Sequence, residues 1–323
     1  MAKLNFALLI LTKLSRVKFG LLDDISGVDF TLPPDPRGTK LLLHHLPERQ
    51  GLPKLYVGAT GWSNKEWIGS VYPKGSKPGE FLKFYTRAFN TIELNTTHYR
   101  IPSSEMTEKW HRLAPPDFRY CPKVPQMISH RTSMAVGEER VEWFLRSVRE
   151  LGDRHGCSFV QLPPYFGYDR MAVLERFLAE AWDDALPLAV EVRHPSWFEN
   201  YDRMRDLFAL LERYDKTAVI TDVAGRRDVL HMRLTTNRAM VRWVGYGLHP
   251  TDYERLTAWA ERLAHWYEQG LQEVYFFPHQ PDDALVPETA QFFLEQVRQR
   301  VEVDTRGPEP PQGDAAGQLG LFG

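Results

Sequence analysis

Short apolar runs recur along this chain. Each closes in a polar turn, and most are followed by a stretch whose apolar residues fall at helical spacing. Eight such runs stand at 55–61, 91–95, 119–125, 157–163, 187–193, 217–223, 239–245 and 273–279. They are rich in β-branched and aromatic residues and nearly continuous in apolar character. That pattern predicts strands covered on both faces, hence a parallel sheet. Stretches with a period near 3.6 at 80–88, 105–113, 140–151, 171–182, 201–214, 253–268 and 288–301 predict helices between them. Eight strands alternating with helices predict a single α/β domain, a (β/α)8 TIM-type barrel over residues 55–302. The stretch 224–237 is too short for a helix and two loops, so an irregular connection is expected between strands six and seven. The alternative, a doubly wound open sheet, lacks the glycine-rich GxGxxG turn that would support it.

The ends read differently. Residues 1–16 hold an apolar stretch interrupted by Lys13, too short to span a bilayer. They are expected to be disordered or to precede a true start at Val17. Residues 17–54, with the segment LPPDPRG, are expected to pack on the barrel as an extension. Residues 303–317 are rich in Pro and Gly and are expected to form a disordered linker. Residues 318–323 turn apolar again.

Charge narrows the classes of partner. Lys+Arg 40 against Asp+Glu 42 gives a formal charge of -2, so any nucleic-acid contact must use a local patch. The two cysteines, Cys121 and Cys157, have neither disulfide-scaffold nor zinc spacing. With no membrane segment in view, a cytoplasmic location is expected.

In a barrel, strand C-termini and the loops after them face one mouth. Those positions carry Trp62, Glu93, Asn95, Tyr99 and Arg100 from the first two strands. Lys123, His130, Arg131 and Gln161 follow from the third and fourth. Glu191, Arg193, His194, Trp197, Asp222, Arg242 and His279 complete the set. Glu93, Lys123, Glu191 and Asp222 are the catalytic candidates, and the remainder, His279 apart, are candidates for substrate binding. Lys123, between Pro122 and Pro125, is costly to bury without purpose. An ion pair with Glu93 is its structural explanation. Schiff-base nucleophile and anion-binding group are the functional ones. Glu191 and Arg193 share a face and can simply pair. No cofactor is specified. A divalent metal held by Glu93, Glu191, Asp222 and His279 is an open possibility without an HExxH motif behind it.

The segments YVGATGWSNKEWIGSVYP, FNTIELNTTHYRIPS, CPKVPQMISHR, VQLPPYF and VEVRHPSWF together resemble the YecE-like family, domain of unknown function 72. The resemblance runs from about residue 55 to 300 and implies a TIM-type barrel. The chain departs from the family at Ala59-Thr60, where Ser often precedes Gly-Trp. It departs also at His98, usually aromatic, and at His279, often asparagine. The family lends fold and site but no reaction; its barrel is similar to those of abasic-site and UV-damage endonucleases.

The tail adds an independent sign. Gln318, Leu319, Leu321 and Phe322 form QLGLF, which resembles the peptide that docks bacterial replication and repair proteins on the sliding clamp. Three functions follow. One is a phosphodiester or abasic-site hydrolase, or a lyase, acting on DNA through stacking aromatics and phosphate-binding cations. The second is a non-catalytic nucleic-acid binding module. The third is an enzyme for a small phosphorylated sugar.

Overall fold

The computed structural model describes residues 20–308. A strand lies within or overlaps each apolar run: β1 Lys54–Val57, β2 Thr91–Leu94, β3 Arg119–Pro122, β4 Ser158–Gln161, β5 Leu188–Glu191, β6 Thr217–Asp222, β7 Arg238–Val244 and β8 Glu273–His279. They form a six-stranded sheet in the order β1-β8-β7-β6-β5-β4 and a separate β2-β3 pair. Every ladder is parallel. The two sheets touch at both edges. Glu93 N donates to Ala59 O just past β1 (3.0 Å), and Val124 N just past β3 donates to Phe159 O on β4 (2.8 Å). Gly58 makes the first approach possible, since a Cβ there would lie 2.0 Å from Thr91 O.

Helices precede β1, follow β8 and fill every crossover but that from β6 to β7: α1 Arg37–His45, α2 Phe81–Ala88, α3 Ser104–Leu113, α4 Gln126–Ser129, α5 Glu139–Arg149, α6 Met171–Arg176, α7 Tyr201–Arg213, α8 Pro250–Glu268 and α9 Val286–Arg298. The helix expected at 171–182 changes character midway, with a π-helical turn over Phe177–Ala181. Between β6 and β7 there is one 3-10 turn, Arg227–Val229.

Alternation along each strand sorts two buried layers. Leu55, Val57, Ile92, Tyr120, Val160, Val190, Ile220, Val241 and Phe276 join the helices in the main core. Their neighbours Tyr56, Cys121, Phe159, Ala189, Val219, Met240, Tyr275 and Phe277 form a second cluster on the other face, together with Cys157 just before β4. Two steps toward the strand C-termini, this inner face turns polar.

Residues 20–54 pack on the loop after β6 and on α8. Thr39 Oγ1 donates to Met232 O (2.8 Å), and Arg262 Nη1 donates to Asp35 Oδ1 (2.7 Å). Residues 304–306, in the stretch expected to be a disordered linker, are bonded to the rest of the fold. Leu55 N donates to Asp304 O (3.0 Å), and Thr305 Oγ1 donates to Leu55 O (2.8 Å), so this stretch pairs alongside β1. Arg306 Nε then reaches Asp117 (2.8 Å). Backbone pairing outweighs a composition that reads as unstructured. The expectations for residues 1–16 and for Gln318, Leu319, Leu321 and Phe322 fall outside the described residues. No described helix is long and apolar enough to cross a membrane.

Candidate functional site

Glu93, Lys123, Gln161, Glu191 and Arg242 occupy the polar end of the inner face. The strand registers align them: Glu93 pairs Cys121, Gln161 pairs Glu191, and Arg242 pairs Phe277. Arg242 is the hub. Its Nε and Nη2 donate to Glu93 Oε2 (2.8 Å) and Oε1 (2.9 Å), while its Nη1 donates to Glu191 Oε2 (2.7 Å). Glu93 also accepts from Asn95 Nδ2 (2.8 Å) and His279 Nε2 (3.0 Å). Glu191 also accepts from Arg193 Nε (2.8 Å) and Gln161 Nε2 (2.8 Å). The chain of bonds ends at Lys123, whose Nζ donates to Gln161 Oε1 (2.9 Å).

Burial ranks these groups by depth. The side chains of Glu93 and Glu191 are 0% and 2% exposed, whereas those of Arg193 and His279 reach 17% and 21%. The carboxylates are therefore the floor, with Lys123, Arg193 and His279 above them. Burial pushes the Glu93 carboxyl up, but Arg242 and His279 overcome it and hold the group well below the usual carboxylate range. Burial also opposes ionisation of Glu191, and Arg193, Arg242 and Gln161 prevail, bringing it to about 2. Burial, reinforced by Arg242, lowers Lys123 to about 8 against the pull of Glu93 and Glu191.

Two imidazoles border Lys123. Burial and the lysine charge take His98 down to about 4, and the same two causes lower His130, with Arg193 adding to them. Their rings lie 5.3 Å apart, edge to face. Exposed Tyr99 and Tyr165 extend the cluster outward, and Tyr165 Oη donates to His130 O (2.8 Å). Arg100 and Arg131 are exposed, and Arg131 lies 3.5 Å from Glu138.

Several candidates sit elsewhere. Asp222 lies on the opposite face of β6, where Trp259 Nε1 (2.8 Å) and Arg255 Nη2 (2.9 Å) from α8 hold it. Its neighbour Thr221 shares the site face, being paired with Arg242, and its buried hydroxyl has no hydrogen-bond partner among the described residues. Parity decides this: Ile220 packs under the helices, so Asp222 must follow it. Trp197 is fully buried and donates to Phe166 O (2.7 Å), tying one loop to another. Trp62 packs edge-on against Trp110, at 5.7 Å. His194 accepts from Ser196 N (3.1 Å) and so caps the turn Pro195–Trp197. The lysine is not paired with Glu93 as the simplest explanation requires, because Arg242 occupies both oxygens of that carboxylate.

The metal candidates Glu93, Glu191, Asp222 and His279 are not gathered into one set. Among the described residues no three His, Cys, Asp or Glu side chains converge as a metal ion would need. Guanidinium groups stand against both site carboxylates instead. Sequence reading missed Thr221 and Phe159. Phe159 lies under Lys123 Nζ (5.8 Å) and the Arg242 guanidinium (5.7 Å). Counting by two from Val219 and Gln161 would have found both.

The model for the family described as "Protein of unknown function DUF72" matches residues 56–313. The protein YecE of Escherichia coli K12 is 30% identical over 280 residues, 80% of this chain and 98% of that protein. YunF of Bacillus subtilis is 26% identical over 150 residues, 45% of this chain and 52% of that protein. A DUF72 structure from Thermotoga maritima superposes with a TM-score of 0.55 at 25% identity, covering 76% of this chain and 98% of that one. One from Enterococcus faecalis superposes with a TM-score of 0.59 at 19% identity, covering 79% and 98%.

Proposed function

The chain belongs to the DUF72 family, and from that premise we propose that its eight strands close into a (β/α)8 barrel whose mouth binds a phosphate-bearing ligand. Closure is supported by the reach of Arg242 from β7 to both β2 and β5. Strands spaced at about 4.8 Å put those partners too far apart in a flat sheet.

One observation carries the anion reading. Among the described residues, Lys123, Arg193 and Arg242 outnumber the two carboxylates they face, Glu93 and Glu191, and Lys123 meets a neutral amide at the open side of the site. A buried surplus charge is expensive unless a ligand supplies the counter-charge. Exposed Tyr99 and Tyr165 suit a sugar or base beside the phosphate. Glu93 and Glu191 hold cations in place here. Saturated with donors and strongly acidic, they are poor general bases, so a hydrolase or lyase would draw on Lys123.

Calorimetric titration with ribose 5-phosphate and with short single-stranded DNA tests the reading. Binding is expected to weaken with added salt and to fall with Arg193→Gln. Absence of affinity for either phosphate compound in low salt would remove it. The order of affinity separates a small-sugar ligand from DNA. A second reading, recruitment to a sliding clamp, rests on Gln318, Leu319, Leu321 and Phe322 alone.

A further inference from the structure

We propose that Lys123 forms a covalent imine with an aldehyde or ketone that carries a phosphate group. This rests on the anion reading above and adds the chemistry of the lysine to it. The geometry of the bond chain is the first argument. A lysine kept for structure takes a carboxylate partner, as Lys216 does with Asp184 (2.9 Å). Lys123 meets a neutral amide oxygen instead, Gln161 Oε1. The amide cannot turn to offer its nitrogen, because that nitrogen is committed to Glu191 Oε2 (2.8 Å). Both carboxylates are in turn committed to guanidinium groups. The network thus seats the amine without locking it as an ion pair.

Access is the second argument. Lys123 is 8% exposed, dry enough to disfavour the ammonium yet not sealed from solvent. Arg193, bonded to Glu191, adds positive charge around Lys123 and so favours a carbonyl compound that carries a phosphate. Burial and Arg242 shift the balance toward the neutral amine, lowering Lys123 to about 8.

The step balances within the two reactants. The neutral amine adds to the carbonyl carbon, forming the C–N bond. Both amine protons pass to the carbonyl oxygen, which leaves as water when the C–O bond breaks. The imine is then protonated from solvent to an iminium, an electron sink next to the substrate carbon.

Reductive trapping tests this on the full chain. The protein is incubated with glyceraldehyde 3-phosphate or ribose 5-phosphate and sodium cyanoborohydride, then mapped by peptide mass spectrometry. The expected result is preferential labelling of Lys123, rising as pH passes about 8 and suppressed by inorganic phosphate. Label at that position should be lost in Lys123→Arg, which keeps the cation and whose melting curve should match that of the parent. Sugar phosphate bound in calorimetry but no adduct at Lys123 overturns the imine and leaves the anion site standing. An adduct at Lys123 that inorganic phosphate does not suppress supports the imine and counts against the anion site. Neither binding nor adduct overturns both.

Discussion

Arg242 is the residue whose loss should be felt most, because among the described residues it alone bridges the two buried carboxylates. Arg242→Met leaves Glu93 and Glu191 short of a counter-charge and is expected to cost about 3–5 kcal/mol in urea unfolding. Adding Glu93→Gln and Glu191→Gln should recover much of that; no recovery would mean that the guanidinium acts through packing. The carboxylates also set a pH window. Glu191 is lowered from its ordinary 4.5 to about 2, so its stabilisation is present above 4.5 and is lost as pH falls through about 2. Glu191→Gln should therefore flatten the acid limb of stability measured against pH. Lys123 has the opposite profile. Lys123→Met strands only an amide oxygen and relieves a buried cation, so stability should hold or rise while phosphate binding is lost. A melting temperature several degrees lower would instead make the lysine a structural group.

At the scale of the element, one residue of register on β6 separates a site position from a core position. Asp222→Ala should destabilise by about 3 kcal/mol, by orphaning the Trp259 indole and removing the buried carboxylate that faces Arg255 and Arg227, with ligand affinity unchanged. Thr221→Val removes a buried, unpartnered hydroxyl and should be neutral or stabilising in the free protein. Affinity measured on both variants decides which face holds the ligand: loss with Asp222→Ala alone would reverse the assignment. The same strand shows why the sequence was legible in part. Ionisable groups that end apolar runs, Glu93, Lys123, Glu191 and Arg242, stand out because nothing else in a strand interior resembles them. In TAVITD both faces are buried, no alternation marks the inner one, and the aspartate is more conspicuous than the threonine beside it. Trp197 misled for a related reason, since an aromatic at a strand end serves a loop contact as readily as a ligand. The networks themselves were not legible, because a bond such as Arg242 to Glu93 joins positions 149 residues apart.

For the molecule as a whole, composition predicted a linker from 303, yet backbone pairing carries the ordered body to the residues beside β1. A chain ending at residue 302 loses the contacts of Asp304, Thr305 and Arg306, whereas one ending at 308 keeps them. Thermal unfolding should separate the two truncations, with the shorter less stable; equal midpoints would make that pairing energetically idle. Beyond 308, the expectation of docking rests on chemistry alone. A peptide of residues 312–323 should bind a bacterial sliding clamp, and Leu321→Ala with Phe322→Ala should abolish the binding. Two adjacent large apolar side chains supply most of the burial that so short a segment offers, about 1.5–3 kcal/mol each. Ordering a free peptide opposes that gain, which places the affinity in about the micromolar range. Such an interaction depends on the side chains of Leu321 and Phe322 and little on salt, the reverse of what the site around Lys123 should show. Binding that survives the double alanine substitution, or that collapses in moderate salt, would assign the peptide's contact to charge and remove the clamp reading.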